Sequence, residues 1–175
     1  MESSKIIDTP IATATRLDMD EPGSPVNETM YRYIIGSLLY LTTSRLDIIS
    51  SVGLCARFQS NPKESHLKAA KRILRYLKVT QNPVLYYLSG DNFDLIGYAD
   101  ADYTGYLVER KSTSGMAHFL GSCLISWRAR KQNSVALLTA EAEYVAIASC
   151  CAQLLWIKQQ IEDFGVFSDC VPLLM

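Results

Sequence analysis

Through the first half of the chain, apolar residues recur at every third or fourth position, which is the spacing of one face of a helix. In the clearest case, the segment 62–80, Leu67, Ala70, Leu74 and Leu77 form a single apolar stripe. Two earlier segments repeat this spacing. The three predicted helices begin at Asn27, near Asp47 and at Pro62.

From residue 83 the period changes to two, which is typical of strands with one buried face. The segments PVLYYLSG and FDLIGYAD are predicted to be neighbouring strands joined by a turn over 89–92, and TSGMAHFLG and CLISWRAR to form a hairpin. A long helix follows, with Thr139 as its predicted N-cap and Gly165 as its predicted end. The residues CVPLLM predict the start of one more strand, so the second half combines helix and sheet.

The composition is that of a globular chain: 175 residues, 49% hydrophobic and 20% charged, with a net charge of −1. A charge this small excludes a general attraction to nucleic acid, so any such affinity has to come from a local patch. The five scattered cysteines include no C-x-x-C pair and are interpreted as buried thiols in a reducing compartment. With no secretory signal and no apolar run of membrane-spanning length, we expect a cytoplasmic or nuclear protein without a membrane partner.

A local cationic patch lies on the third predicted helix. Its residues recur at three- and four-residue steps, away from the apolar stripe: Lys68, Lys71, Arg72, Arg75 and Lys78. Such a stripe suits a phosphate backbone, and it equally suits an ordinary solvated helix face. The sequence leaves both interpretations open. His66, beside the stripe, is interpreted as a polar surface residue.

Acidic residues at the ends of predicted elements are candidates for a metal site. Asp100 and Asp102 end a strand in GYADADYTG, and Glu141 and Glu143 lie in the first turns of the long helix. Mg²⁺ needs several oxygen ligands, so carboxylates from different elements would have to converge. The alternatives are turn formation by the aspartates and a favourable interaction of Glu141 with the helix dipole. Glu143 lies deeper in the helix, which predicts that it faces partly inward.

Several motifs, taken in order, resemble those of one family. They are MYRYIIGSLLYLTTSRLDI, HLKAAKRILRYLK, GYADADYTG, RKSTSGMAHFLG, ISWRARKQ and LLTAEAEYVAIA. Together they resemble the C-terminal part of copia-type LTR-retrotransposon Pol polyproteins, where the end of the reverse transcriptase joins the ribonuclease H (RNase H) domain. The resemblance implies an α+β, RNase H-like fold: an antiparallel three-strand meander, a long helix and a fourth strand parallel to the first.

The resemblance also implies an activity, the cleavage of RNA in RNA–DNA hybrids with two Mg²⁺ ions. Matched motif by motif, the catalytic and metal-binding residues correspond to Asp100 on the first strand and Glu143 on the long helix. Asp102 is a weaker metal neighbour, because period-two counting places it on the strand face of Asp100. The cationic helix would lie near the template-primer duplex, which favours its nucleic-acid-binding interpretation.

The chain departs from the family pattern near residue 175. The family's third acidic ligand ends the fourth strand, whereas this chain reads FSDCVPLLM there and Asp169 precedes the strand. We therefore expect a flexible tail over 1–26, a helical reverse-transcriptase segment over 27–82, and a truncated, inactive RNase H-like domain over 83–175. The alternatives are a non-catalytic nucleic-acid-binding fragment and a protein-interaction fragment that self-associates through an exposed sheet edge.

Overall fold

A computed structural model of the chain describes residues 7–12, 15, 17–19, 23–89, 92–106 and 109–175. The chain divides into two compact units, Met1–Val84 and Leu85–Met175. The first unit is helical and the second contains a sheet, which confirms the predicted α+β class. In the described part of the chain, no helix combines the length and the apolar character needed to cross a membrane.

The helical unit contains three α-helices and one 3₁₀ turn. They are α1 (Glu28–Leu41), the 3₁₀ turn (Leu46–Ile48), α2 (Ile49–Ala56) and α3 (Glu64–Val79). The predicted N-cap of α1 is confirmed, because the Asn27 side chain accepts a hydrogen bond from the N–H of Met30 at 2.9 Å.

Large, fully buried side chains from every helix form the core of this unit. They are Tyr31, Ile35, Leu38, Ile48, Val52, Cys55, Phe58 and Ile73. The Tyr31 hydroxyl donates to the Cys55 carbonyl at 2.9 Å, so the buried phenol has a partner. Burial raises the pKa of the Cys55 thiol to about 12, so this thiol is protonated and unreactive at neutral pH.

Arg45 ties the 3₁₀ turn to the end of α3. Its Nε and Nη2 donate to the two carboxylate oxygens of Asp47 at 2.9 and 2.7 Å, and its Nη1 donates to the Thr80 carbonyl at 2.7 Å. The Tyr76 hydroxyl donates to the same carboxylate at 2.8 Å. These hydrogen bonds, chiefly those from Arg45, hold the pKa of Asp47 below its ordinary value.

Parts of the segment predicted to be a flexible tail contact the helical unit. Leu17 is buried, Thr9 accepts hydrogen bonds from Arg72, and the Asp18 carbonyl lies 2.9 Å from His66 Nε2. The remaining tail residues, 1–6, 13, 14, 16 and 20–22, lie outside the described residues.

The sheet unit has four strands and one long helix. They are β1 (Leu95–Tyr106), β2 (Lys111–Leu120), β3 (Cys123–Lys131), α4 (Thr139–Glu162) and β4 (Leu173–Leu174). In the order β3-β2-β1-β4, the first three strands form an antiparallel meander and β4 runs parallel to β1. This is the arrangement that the family resemblance implies, and the predicted RNase H-like fold class is confirmed.

One predicted strand is wrong. Residues 83–88 form no strand, and Val84, Tyr86 and Leu88 are exposed. Pro83 has no N–H to donate to a ladder. The segment reaches β3 through a side chain instead, since the Tyr87 hydroxyl donates to the Leu124 carbonyl at 3.1 Å. Gly90 and Asp91, at the centre of the predicted turn, lie outside the described residues.

Helix α4 packs on β1 through a mixture of small and large apolar side chains. Leu95 and Ala99 of the strand cluster with Ala146, Cys150, Leu154 and Ile157 of the helix. The helix lies so close that a Cβ at Gly97 would overlap the Leu154 side chain and lie 3.2 Å from Cys150 Sγ.

A buried histidine on β2 also faces this helix. His118 Nε2 lies 3.4 Å from Cys150 Sγ. Burial lowers the pKa of His118 and raises that of Cys150 to about 11, so both side chains are neutral at pH 7. The prediction of buried thiols holds for Cys55, Cys123 and Cys150, whereas Cys170 is exposed.

Candidate functional site

The predicted metal-binding aspartates lie on the central strand β1. Asp100 pairs with Gly115 of β2 and Asp102 pairs with Thr113, and both side chains are exposed. Leu95 and Ala99 alternate with them and pack against α4. Successive side chains of a strand point to opposite faces, so the two carboxylates share the sheet face that α4 does not cover.

The chain bends immediately after this pair. The β1–β2 register shifts between Asp102 and Tyr106, and Thr104 adopts a positive φ of 51°. The Asp102 carboxylate folds over Gly105, where a Cβ would overlap it. The bulge therefore turns Asp102 toward its own strand end, while the register at Asp100 is regular.

Two hydrogen bonds tie the start of α4 to the sheet, and a third is local to the helix start. The Tyr103 hydroxyl donates to the Leu137 carbonyl at 3.0 Å, which ties the end of β1 to the residues before the helix. Gln132 Nε2 donates to the Ala142 carbonyl at 2.8 Å, which ties the end of β3 to the first turn. The Leu137 N–H donates to the Glu141 carboxylate at 2.7 Å. Glu141 thus acts at the helix N-terminus, as its structural interpretation predicts.

Glu143 differs from Glu141 in its surroundings. It is half-buried, next to the fully buried Ala142, and its Oε2 is buried without a hydrogen-bond partner among the described residues. The sequence predicted that this side chain faces partly inward, and its burial agrees. A buried carboxylate oxygen without a donor costs free energy that a hydrogen-bond donor or a cation would offset.

These acidic residues do not fit a complete two-ion site. Carboxylates are the right ligands for Mg²⁺, but a two-ion centre needs more of them than Asp100 and Glu143 provide. Within the described ranges, no three acidic, histidine or cysteine side chains are grouped so as to hold a metal ion. Asp169 is exposed and precedes β4. The pairing of Asp100 with Glu143 stays a prediction, and no catalytic step is assigned to a metal.

The predicted cationic stripe lies on α3, and its residues have different environments. Lys71 is exposed, whereas Lys68 forms an ion pair with Glu64 at 3.1 Å. Arg72 is half-buried and donates to Thr9 through both Nε and Nη2, so part of its function is structural. Arg75 is half-buried and Lys78 is exposed. Nucleic-acid binding by this helix stays a prediction.

The interpretation of His66 as a surface residue is wrong. Its side chain is fully buried and stacks on Phe58, with ring centroids 4.0 Å apart and an interplanar angle of 17°. Nδ1 accepts from the Lys63 N–H at 3.0 Å, so Nε2 carries the proton and donates to the Asp18 carbonyl. His66 thereby holds the start of α3 and the chain near residue 18 together.

Comparison with known proteins identifies the family. The retrovirus-related Pol polyprotein from transposon RE1 of Arabidopsis thaliana is 36% identical over 166 residues, which is 95% of this chain and 11% of that protein. The corresponding polyprotein from transposon TNT 1-94 of Nicotiana tabacum is 34% identical over 174 residues, 95% of this chain and 13% of that protein. The chain belongs to the retrotransposon Pol polyprotein family. The predicted resemblance is confirmed, and this Pol-family chain spans about a tenth of the length of these relatives.

A shorter relative matches the same Pol-family chain. Secreted RxLR effector protein 161 of Plasmopara viticola is 38% identical over 128 residues, which is 73% of this chain and 90% of that protein. No family model and no solved structure matches the chain.

Proposed function

We propose that this chain is an RNase H-like element of a retrotransposon Pol lineage that binds RNA–DNA hybrids without cleaving them at a measurable rate. In this proposal Asp100 and Glu143 are two carboxylates of its metal site. The observation that carries it is the unpartnered, buried Oε2 of Glu143, on a helix start that Tyr103 ties to the strand of Asp100.

The open edge of β1 supports an approach between the two carboxylates. Strand β4 pairs with β1 only at Gly97 and Tyr98. Beyond Tyr98, no described strand covers that edge of β1. Asp100 and Glu143 would reach a shared divalent cation around this edge, although α4 packs on the other face of the strand.

The expected lack of cleavage follows from the number of ligands. Mg²⁺ requires near-octahedral coordination and retains most of its water when few carboxylates bind it. Phosphodiester cleavage by two ions depends on a fixed separation of about 3.5–4 Å, which two carboxylates do not impose. Two carboxylates would therefore hold the cation weakly and leave the scissile phosphate unaligned.

Metal binding is tested separately from activity. We expect Mn²⁺ to broaden the NMR signals of residues next to both Asp100 and Glu143, and Asp100→Asn to weaken this broadening at both places. Broadening at one residue alone would reject the shared site. In parallel, the chain and Asp100→Asn are incubated with a labelled hybrid and Mg²⁺. Cleavage that Asp100→Asn abolishes would contradict the proposed inactivity.

Hybrid binding is assigned to the exposed cations of α3. Contacts to phosphates are independent of sequence and weaken as salt rises, since binding releases condensed counterions. We expect Lys68→Gln/Lys71→Gln to raise the Kd for a hybrid about tenfold and to flatten its dependence on salt between about 50 and 200 mM. Lys111→Gln/Lys158→Gln is the matched control, because it removes two charges from the sheet unit. An unchanged Kd for the α3 variant would reject this role.

A second candidate function is protein association. Leu155 and Trp156 of α4 are 68% and 57% exposed, and Phe164 and Phe167 beyond the helix are more exposed still. Exposed apolar patches commonly mark interaction surfaces, and the proposed partner is a second copy that also meets the open edge of β3. Light scattering over a concentration series tests this, with Trp156→Ser expected to reduce self-association. A chain that is monomeric at every concentration would reject it.

A further inference from the structure

A pocket of about 190 Å³ opens in the sheet unit between β3 and α4. We call this pocket the β3–α4 groove. The side chains that line it come from three elements and include Ser114 of β2, Arg128 and Arg130 of β3, and Ser149 and Gln153 of α4. Arg128 pairs with Met116 and Arg130 with Ser114, so the two arginines are alternate residues on one face of the edge strand.

One buried side chain fixes the walls of the groove. Gln132 is 4% exposed and follows β3 directly. Its Nε2 donates to Ser114 Oγ at 2.9 Å and to the Ala142 carbonyl at 2.8 Å, and its N–H donates to the Ser112 carbonyl at 2.8 Å. Gln132 therefore joins β2, β3 and α4, so the groove is held in shape before any ligand binds.

The charge of the groove is positive. Among the described residues, no aspartate or glutamate lines it. Lys131 also lines it, but its Nζ lies 2.9 Å from both carboxylate oxygens of Glu109, which also pairs with Lys111 at 3.2 Å, so part of the charge of Lys131 is offset. Arg128 and Arg130 are exposed and supply the remaining positive charge, with hydroxyl and amide groups beside them.

We propose that the β3–α4 groove binds a phosphate group of a nucleic-acid backbone, with Arg128 and Arg130 as its cationic ligands. Guanidinium groups match phosphate oxygens in bidentate geometry, and the hydroxyl and amide groups supply further hydrogen bonds. The volume is below the roughly 300 Å³ at which pockets for drug-sized ligands begin, which favours a single phosphate over a whole nucleotide.

The groove opens on the α4 face of the sheet, opposite the face of Asp100 and Asp102, and the choice of a nucleic-acid backbone as its ligand rests on the proposed function. Ala101, between Asp100 and Asp102, pairs with Ser114, which pairs with Arg130. Two strand spacings of about 4.8 Å place Arg130 roughly 10 Å across the sheet from Ala101. Ala101 shares the face of Arg130, so the two carboxylates lie on the opposite face of the sheet from the groove.

The test compares two charge-matched variants of the full chain. Arg128→Gln/Arg130→Gln is expected to raise the Kd for a hybrid about tenfold and to lower the salt slope by about one to two. Lys111→Gln/Lys158→Gln, outside the groove, is expected to change the Kd less than twofold. Arg128→Lys/Arg130→Lys keeps the charge and is expected to recover part of the affinity. A groove variant that binds hybrid as the unmodified chain does, with the same salt slope, would overturn the proposal.

NMR titrations separate the sources of phosphate and the two proposals. We expect the amide signals of Ser149 and Gln153 to shift with a single-stranded oligonucleotide at micromolar concentrations and not with inorganic phosphate at the same concentration. Equal shifts with inorganic phosphate would overturn backbone recognition in favour of a free-anion site.

If the chain binds no hybrid but the oligonucleotide shifts these signals, the groove stands and the proposed function fails. If hybrid binds and these signals do not move, only the groove fails.

Discussion

The two units of this chain bury apolar surface in different ways. In the helical unit, large side chains such as Phe58 and Ile73 are fully buried, and the buried ring of His66 is hydrogen-bonded at both nitrogens. In the sheet unit, the contact of α4 with β1 combines small side chains such as Ala99 and Ala146 with large ones such as Leu95.

Both units also expose large rings at the surface. Tyr40 of α1 is 79% exposed, and Phe164, at the end of the sheet unit, is 85% exposed. Large buried side chains therefore stabilise both units, and the sheet unit depends in addition on the close approach of α4 to β1 at Gly97. Removing a large buried ring should act strongly on the helical unit, and adding volume at Gly97 should act on the sheet unit.

The largest expected effect comes from removing a buried ring in the helical unit. Phe58→Ala leaves a cavity beside His66, so we expect the free energy of unfolding of this unit to fall by about 3–5 kcal/mol. Both tryptophans of the chain, Trp127 and Trp156, lie in the sheet unit, so their fluorescence reports on that unit alone. Helical circular dichroism reports on both units, because α4 belongs to the sheet unit, so in urea the variant should add an earlier circular dichroism phase ahead of the fluorescence transition.

The matched control is Phe164→Ala in the sheet unit. Because this ring is exposed, its removal should change the free energy of unfolding by no more than about 0.5 kcal/mol. If Phe58→Ala instead shifted both transitions by the same amount, the two units would unfold as one and the contrast between them would be lost.

Two glycine substitutions should have opposite signs in the two units. Gly97→Ala places a Cβ against Leu154 and Cys150, and we expect the sheet unit to lose about 1–3 kcal/mol. Gly36 lies in α1 with no atom within 4 Å of an added Cβ, so Gly36→Ala should stabilise the helical unit by about 0.5–1 kcal/mol. Urea midpoints from fluorescence and circular dichroism measure the two effects. A neutral Gly97→Ala would mean that α4 can move away from β1 at little cost.

Local signals predicted the elements well, and long-range contacts explain the failures. The Asn27 cap and the stripe of α3 depend on residues within a few positions, so the sequence is sufficient to predict them. The segment 83–88 has the composition of a strand, but a strand needs a partner, and pairing is decided by the rest of the sheet. His66 could not be placed for the same reason, since its Asp18 partner lies 48 residues away.

In the candidate site, too, the local patterns were predicted and the long-range contacts were missed. The motifs placed Asp100 on a strand and Glu143 on a helix, and the structure has them there. Tyr103 and Gln132, which fix the helix start, were missed. Tyr103 bonds to a backbone carbonyl 34 residues away, and no pattern in the sequence reports such a contact. Gln132 had a weak signal, because it is an uncharged polar residue directly after the cationic end of β3.

The smallest expected effect is a difference in acid response. The pKa of His118 is lowered by burial, so below its ordinary value of 6.5 the unfolded chain binds a proton that the folded sheet unit does not. The sheet unit should therefore be fully stable above about pH 6.5 and lose stability as the pH falls below it. In the helical unit, the lowered pKa of Asp47 places the corresponding loss below its ordinary value of 3.8. Urea midpoints from fluorescence at pH 7.5 and 5.5 measure the acid response of the sheet unit. His118→Gln should make this midpoint less dependent on pH. A midpoint that stays constant between these pH values, or a His118→Gln variant that keeps the full dependence, would show that His118 does not set the acid response of the sheet unit.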